Sequence, residues 1–363
     1  MDSETYWSRI SRRRTRRQLL GGMLALGGAA ALASACKSNN PGSGSARPTG
    51  ADQTGVPAGP PAKLTISVGA ADPGYMYPFI ARAGNIFQKN NLTVDIQIIP
   101  GPQALAALIS GNIQIATAGA GETLGAAVGG AQLSIVASPS PVFAGNIYAR
   151  PEIKNPADLK GKKVAITSAG GTYDTLLRAS LPKMGLQPDK DVTFISTGSI
   201  DNALAALLTG SVSCAPSGIG PNSIKLEQNG CHVIFDPSGV PFAAASTVMQ
   251  KSWISSNRSV AQRYVDSIVE AITRMKHDKP FAIEALGGYL GSPPDDVLKV
   301  TYDYYSQDKI VPPLPFPKAE YYSIQLEQIS KTNDAAKNFD LIKVVDPSFV
   351  ESAATRKLNQ WNG

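Results

Sequence analysis

The sequence predicts an α/β protein of two mainly parallel-sheet lobes, joined by two crossover segments and followed by a C-terminal helical extension. Two observations predict it. ALAALISGNIQIA at 104–116 returns as ALAALLTGSVSCA at 203–215, with seven of the thirteen positions identical. Around that core, KLTISV (63–68) matches KVAITS (163–168), LTV (92–94) matches VTF (192–194), and GAQLSI (130–135) matches GCHVIF (230–235), each at an offset of 100. A single repetition at this spacing means two domain-sized units rather than a solenoid, and it places function in the cleft between them.

In chain order, residues 1–35 read as an export signal: a basic head, an apolar stretch rich in Gly and Ala, then small residues before Cys36. TRRQLL at 15–20 resembles the twin-arginine export motif at Arg16 and Arg17. It departs from that motif at Leu19 and Gly21. Leu32-Ala33-Ser34-Ala35-Cys36 resembles a lipoprotein signal-peptidase site, which implies that Cys36 carries a lipid. The competing readings are a permanent transmembrane segment and ordinary cleavage that leaves Cys36 as a free thiol. Residues 36–62 are rich in Pro and Gly and nearly free of apolar side chains, the composition of a flexible tether.

Lobe 1 is expected over 63–140 and 241–363, and lobe 2 over 141–240. Alternating apolar residues mark a strand at 63–69; a helix over 77–90, a strand at 92–99, a helix at 102–110, a strand at 112–116, a helix at 121–129 and a strand at 132–137 follow. Lobe 2 repeats the order with strands at 163–167, 191–196, 211–215 and 231–235, and helices at 173–184, 200–209 and 219–229. The segments 138–161 and 241–250 are the crossings, and together they form a hinge. Val260, Tyr264, Ile268 and Ile272 recur every four residues, which predicts a helix from 253. Pro293-Pro294 followed by Asp295-Asp296 marks another helix start, and one more is expected over 318–331. These helices are expected to cover lobe 1.

Over about 63–310 the chain resembles the ABC-transporter solute-binding proteins that capture taurine, alkanesulfonates, nitrate or thiamin pyrimidines. The resemblance rests on ALAALISGNIQIA followed by GGAQLSIVAS (129–138), on NPADLKGKKVAI (155–166), and on WISSNRSVAQRYVDSIVEA (253–271). It implies a type II periplasmic-binding-protein fold, a small-molecule solute, a permease as partner and an extracytoplasmic location. The lipid anchor would tie the protein to the cell membrane, and a monomer is expected.

In open α/β sheets ligands lie beyond the carboxyl ends of the strands, which nominates the loops 70–75, 117–123, 168–174 and 216–221. From these loops and the first crossing come the candidate binding residues Asp72, Tyr75, Gly119, Ala120, Glu122, Phe143, Ser168, Gly170, Gly171, Thr172, Tyr173 and Ser217. The loops carry no Arg or Lys but hold Asp72, Glu122 and Asp174, which weighs against a strong anion as solute. The other reading is that Glu122 and Asp174 serve only as favourable first-turn residues of helices.

Composition excludes other classes. The net charge is +6, of which +4 lies in the leader, where six arginines stand against Asp2 and Glu4, so nothing suggests a nucleic-acid surface. His232 and His277 have no metal-ligand spacing around them, and neither a cofactor nor a metal is expected. No nucleophile-elbow, dinucleotide or P-loop pattern occurs, so a binding protein is expected rather than an enzyme. The alternatives are an exported enzyme or thiamin-pyrimidine biosynthetic protein using the same cleft, and a ligand-sensing subunit. Cys214 and Cys231 are able to pair in an oxidising compartment, but their places on successive strands favour two buried thiols.

Overall fold

The computed structural model describes residues 59–361 except 239 and 241. The export signal, Cys36 and most of the expected tether lie outside the described residues.

Strands β1 (Ala62–Val68), β2 (Leu92–Ile98), β3 (Ile115–Ala118), β4 (Leu133–Ser140) and β10 (Ala245–Gln250) form one sheet in the order β2-β1-β3-β10-β4. Strands β5 (Gly145–Ala149), β6 (Lys162–Ile166), β7 (Val192–Ser196), β8 (Cys214–Gly218) and β9 (His232–Phe235) form the second in the order β7-β6-β8-β5-β9. The two orders are the same pattern one repeat apart. Even the register is kept: β1 and β2 pair in parallel from Ala62 opposite Leu92, and β6 and β7 from Lys162 opposite Val192.

Each crossing becomes the antiparallel strand of the sheet it enters. After β4 the chain passes to the second sheet as β5, between β8 and β9; after β9 it returns to the first sheet as β10, between β3 and β4. Gly145 at the start of β5 lies opposite Gly218 at the end of β8, and Ala245 at the start of β10 lies opposite Ser140 at the end of β4. Both crossings therefore arrive at the edge where the parallel strands finish and their loops begin.

Some elements differ from expectation for local reasons. The helix expected over 77–90 is two, Tyr77–Ala83 and Ile86–Lys89, because Gly84 ends the first and Asn85 takes a left-handed φ of 55°. Strands expected at 112–116 and 211–215 start later, at Ile115 and Cys214. The residues before them cap the preceding helix: Asn112 and Ile113 N–H groups donate to Ala107 O, and Ser211 and Val212 N–H groups donate to Ala206 O. Cys214 and Cys231 are free and buried.

The long helix Lys251–His277 packs its apolar stripe, Tyr264, Val265, Ile268 and Ile272, into the core on one face of the first sheet. Helices Lys279–Leu290 and Asp295–Tyr305 extend that layer. The short helix Ser323–Ser330 departs from the expected covering of one half only. Ile324 packs against the core of the second sheet, whereas Leu326 and Ile329 pack on that of the first.

One buried polar cluster in this layer is fully paired. Asp266 is fully buried, and both its carboxylate oxygens accept from Arg356, at 2.7 and 2.5 Å, while Gln262 donates to Oδ1 at 2.8 Å. Removing one partner of such a pair leaves an uncompensated buried charge, at a cost of about 3–5 kcal/mol. Arg356→Ala should therefore lower unfolding stability by roughly that amount in urea titration; a loss under about 1 kcal/mol would mean that the pair contributes no more than a surface ion pair does.

Candidate functional site

The loops at the carboxyl edges of both sheets enclose one cavity, in which the centre of a water molecule can range over ≈ 80 Å³. One buried water needs roughly 10–15 Å³ on that measure, so the space suits a small solute. The first half contributes Gly69, Asp72, Gly74 and Tyr75 from the loop after β1, Pro100 and Gly101 after β2, and Gly119 and Glu122 after β3. The second half contributes Thr167, Ser168, Thr172 and Tyr173 after β6, and Gly198, Ser199 and Ile200 after β7. The crossings supply Ser140, Phe143, Ala144, Ala244 and Ala245.

The loop after β1 is held in place by hydrogen bonds. Asp72 Oδ1 accepts from Gly74 N–H at 2.9 Å, and the Tyr289 hydroxyl receives the Asp72 N–H at 3.0 Å. Tyr289 itself stacks on Phe79 with centroids 4.0 Å apart, so the C-terminal helix Lys279–Leu290 fixes a loop more than two hundred residues upstream. Phe143 and Tyr173 meet edge to face at 6.0 Å. Tyr305, on helix Asp295–Tyr305, lines the cavity while its hydroxyl donates to Ala144 O at 3.2 Å.

The halves touch closely beside the cavity. Thr172 Oγ1 donates to Ala244 O at 3.3 Å, and a Cβ on Gly121 would collide with the Gly170 carbonyl. Only glycine lets helix Ala120–Val128 come this near to the opposite loop.

The sequence profile of NMT1/THI5-like proteins matches residues 73–278, more than half of the chain and every strand from β2 to β10. The chain belongs to the NMT1/THI5-like family. It is 34% identical over 111 residues to a protein of Brucella abortus (strain 2308) named as a binding protein; the match covers 30% of this chain and 34% of that one. The aligned part thus spans about a third of the relative's length. Among solved structures it is similar to the alkanesulfonate-binding protein SsuA of Xanthomonas axonopodis pv. citri bound to MOPS (TM-score 0.66, 22% identity, 80% of this chain and 100% of that one). It is also similar to the nitrate-binding protein NrtA of Synechocystis PCC 6803 (0.68, 17%, 81% and 89%) and to a DszB mutant in complex with biphenyl-2-sulfinic acid (0.58, 14%, 81% and 99%). These likenesses establish the periplasmic-binding-protein fold.

In this NMT1/THI5-like chain eight candidate residues line the cavity: Asp72, Tyr75, Gly119, Glu122, Phe143, Ser168, Thr172 and Tyr173. Four stand behind it. Ala120 is buried in the first turn of its helix, and Gly170, at φ 73°, and Gly171 shape the turn into helix Thr172–Ser180. Ser217 is buried with its hydroxyl donating to Gly218 O at 3.2 Å, and Gly218, one step on along the pleat, lines the cavity in its place. Asp174 is engaged elsewhere, accepting from Gly170 N–H at 2.7 Å and pairing with Arg178 at 2.7 Å. The loops after β2 and β7 and the distant Tyr305 were missed. The repeat offers a signal for the two loops, since they are equivalent strand-to-helix joints and each carries a glycine (Gly101 and Gly198). Tyr305 has none.

Two carboxyls in the wall are shifted. Burial raises Asp72 from 3.8 to about 6 against the Gly74 N–H, with Asp201 pushing the same way. Burial likewise raises Glu122 from 4.5 to about 6; its own N–H and that of Thr172 oppose this, and Asp174 adds to it. Burial, then Glu122 and Asp72, push the Tyr75 hydroxyl up. Because both carboxyl values lie above those of an unfolded chain, the folded state holds these protons longer. The stability they contribute is full below about pH 4 and is lost as pH rises through about 6. Glu122→Gln should then melt higher than the wild type above pH 6 and at the same temperature near pH 4, read by calorimetry without ligand. Parallel melting curves would show that Glu122 is solvated.

Proposed function

We propose that this chain is the extracytoplasmic substrate-binding protein of an ABC import system. Residues 63–140 with 241–363 form one lobe and 141–240 the other; they close on a small organic solute and deliver it to the permease's transmembrane subunits. A lipid on Cys36 holds the protein at the outer face of the cell membrane, export follows the twin-arginine route, and the protein acts as a monomer. One observation carries the reading: a single cavity is walled by the loops of both sheets and by both crossings, so a solute in it touches both halves. A ligand that contacts both halves favours the closed arrangement by its differential affinity.

Binding is favoured over turnover by the composition of the wall. Ser140, Ser168, Ser199 and Thr172 line it, but neither histidine does, so no hydroxyl there has an imidazole base beside it. Among the described residues no group of His, Cys, Asp and Glu is placed to hold a metal, and no helix is long and apolar enough to cross a membrane.

Native mass spectrometry of the purified protein should reveal a co-purified small molecule that leaves unchanged on denaturation. Chemical conversion of that molecule by the protein alone would replace this reading with an enzymatic one. Tyr75→Ala should weaken binding of it by about ten- to a hundredfold while the ligand-free melting temperature hardly moves. Tyr173→Ala should lower both, because Tyr173 is 3% exposed and belongs to the core of the second sheet. Separately, Cys36→Ala should move the protein from the membrane to the soluble fraction; unchanged fractionation would assign the anchor to the uncleaved apolar segment.

A further inference from the structure

Three helices, Gly101–Ile109, Ala120–Val128 and Thr172–Ser180, begin at the cavity wall, and their first residues crowd one carboxylate. A Cβ on Gly101 would stand 2.9 Å from Glu122 Oε1, one on Gly171 would stand 2.7 Å from the same oxygen, and one on Gly119 would overlap Oε2. Free N–H groups and partial positive charge at helix starts are the ordinary seat of an anionic ligand. Here the chain's own carboxylate occupies that seat. The glycines are what make it possible, since a side chain at any of the three would displace Glu122.

What remains of the cavity has the opposite preference. Its charged lining residues are Asp72 and Glu122, and no Lys, Arg or His lines it among the described residues. Arg178 is turned to Asp174 and Asp189. Glu122 Oε2 and Ser168 Oγ, both shut off from solvent, have no hydrogen-bond partner in the protein. Tyr75, Phe143, Tyr173 and Tyr305 add ring surface. A carboxylate oxygen with no partner, carboxylates without cations and several aromatic rings together describe a receptor for positive charge.

Resting on the reading of this cavity as a solute site, we propose that it selects a cationic solute. An ammonium, amidinium or guanidinium group is held by Asp72 and Glu122, with its apolar part against the rings, and anions are turned away. The test uses planar probes of opposite charge at two sizes: guanidinium against nitrate, and benzamidinium against benzenesulfonate. Each is added at about 10 mM, far below the molar range in which guanidinium unfolds proteins, to the full chain purified from membranes in detergent. At least one cation should raise the melting temperature by about 2 °C or more, and neither anion should. Glu122→Gln and, independently, Asp72→Asn should each cut affinity for that cation about tenfold or more, so that one failing to fold leaves the other to read. Stabilisation of the wild type by nitrate or benzenesulfonate, or by neither cation, overturns the proposal. A co-purified solute seen by native mass spectrometry alongside such a result would preserve the solute-binding reading and remove only its charge.

Discussion

Each sheet incorporates a strand that arrives from the other half, and the rest of the architecture depends on that exchange. A crossing that merely linked two finished sheets would leave the halves free to choose their facing edges. Here β5 and β10 are hydrogen-bonded between two strands of the receiving sheet, and each enters at the edge where the parallel strands end. The crossings are thereby forced to run along the same edge as the strand-to-helix loops. Phe143 and Ala144 before β5, and Ala244 and Ala245 at β10, become cavity wall for this reason and need no binding motif of their own. The crossings and the cavity wall share the same few residues.

The repeat made the sheets legible. Matching strands one hundred residues apart implied equivalent roles, and the register of β1 with β2 recurs in β6 with β7. Legibility failed where tertiary or capping interactions overrode local pattern. Ile113 and Val212 are apolar and precede strands, yet each is spent on the cap of the helix before it. Asn85 splits a helix whose apolar spacing reads as continuous. In the site, glycine at a strand-to-helix joint marked four loops, whereas the equivalent loops after β2 and β7 were passed over. Tyr305 was beyond reach, because only the packing of the C-terminal helices places it some 160 residues along the chain from the Ala144 carbonyl it binds. Tyr173 shows a subtler limit. Sequence position assigned it to the wall, but nothing in the letters reveals that the same ring is also core.

The carboxylate of Glu122 brings together two opposed energies, and their magnitudes decide what the cavity can accept. Removing a carboxylate from water costs several kcal/mol even after a protein relaxes around it. A helix start returns about 0.3–1 kcal/mol when exposed and up to about 2 kcal/mol when partly buried. Three starts at their best therefore approach the desolvation cost without securely exceeding it. The pKa of Glu122, raised to about 6 with burial as the largest cause and the Thr172 N–H working against it, agrees with that balance. Had the helix starts won, the value would have fallen below 4.5. The residual deficit belongs to a cavity with no basic residue in its wall. Only two things can supply the missing positive charge: a proton taken from solvent, or a cation brought in by the solute. An anion supplies neither, and it would have to share with Glu122 the helix starts that Glu122 already occupies.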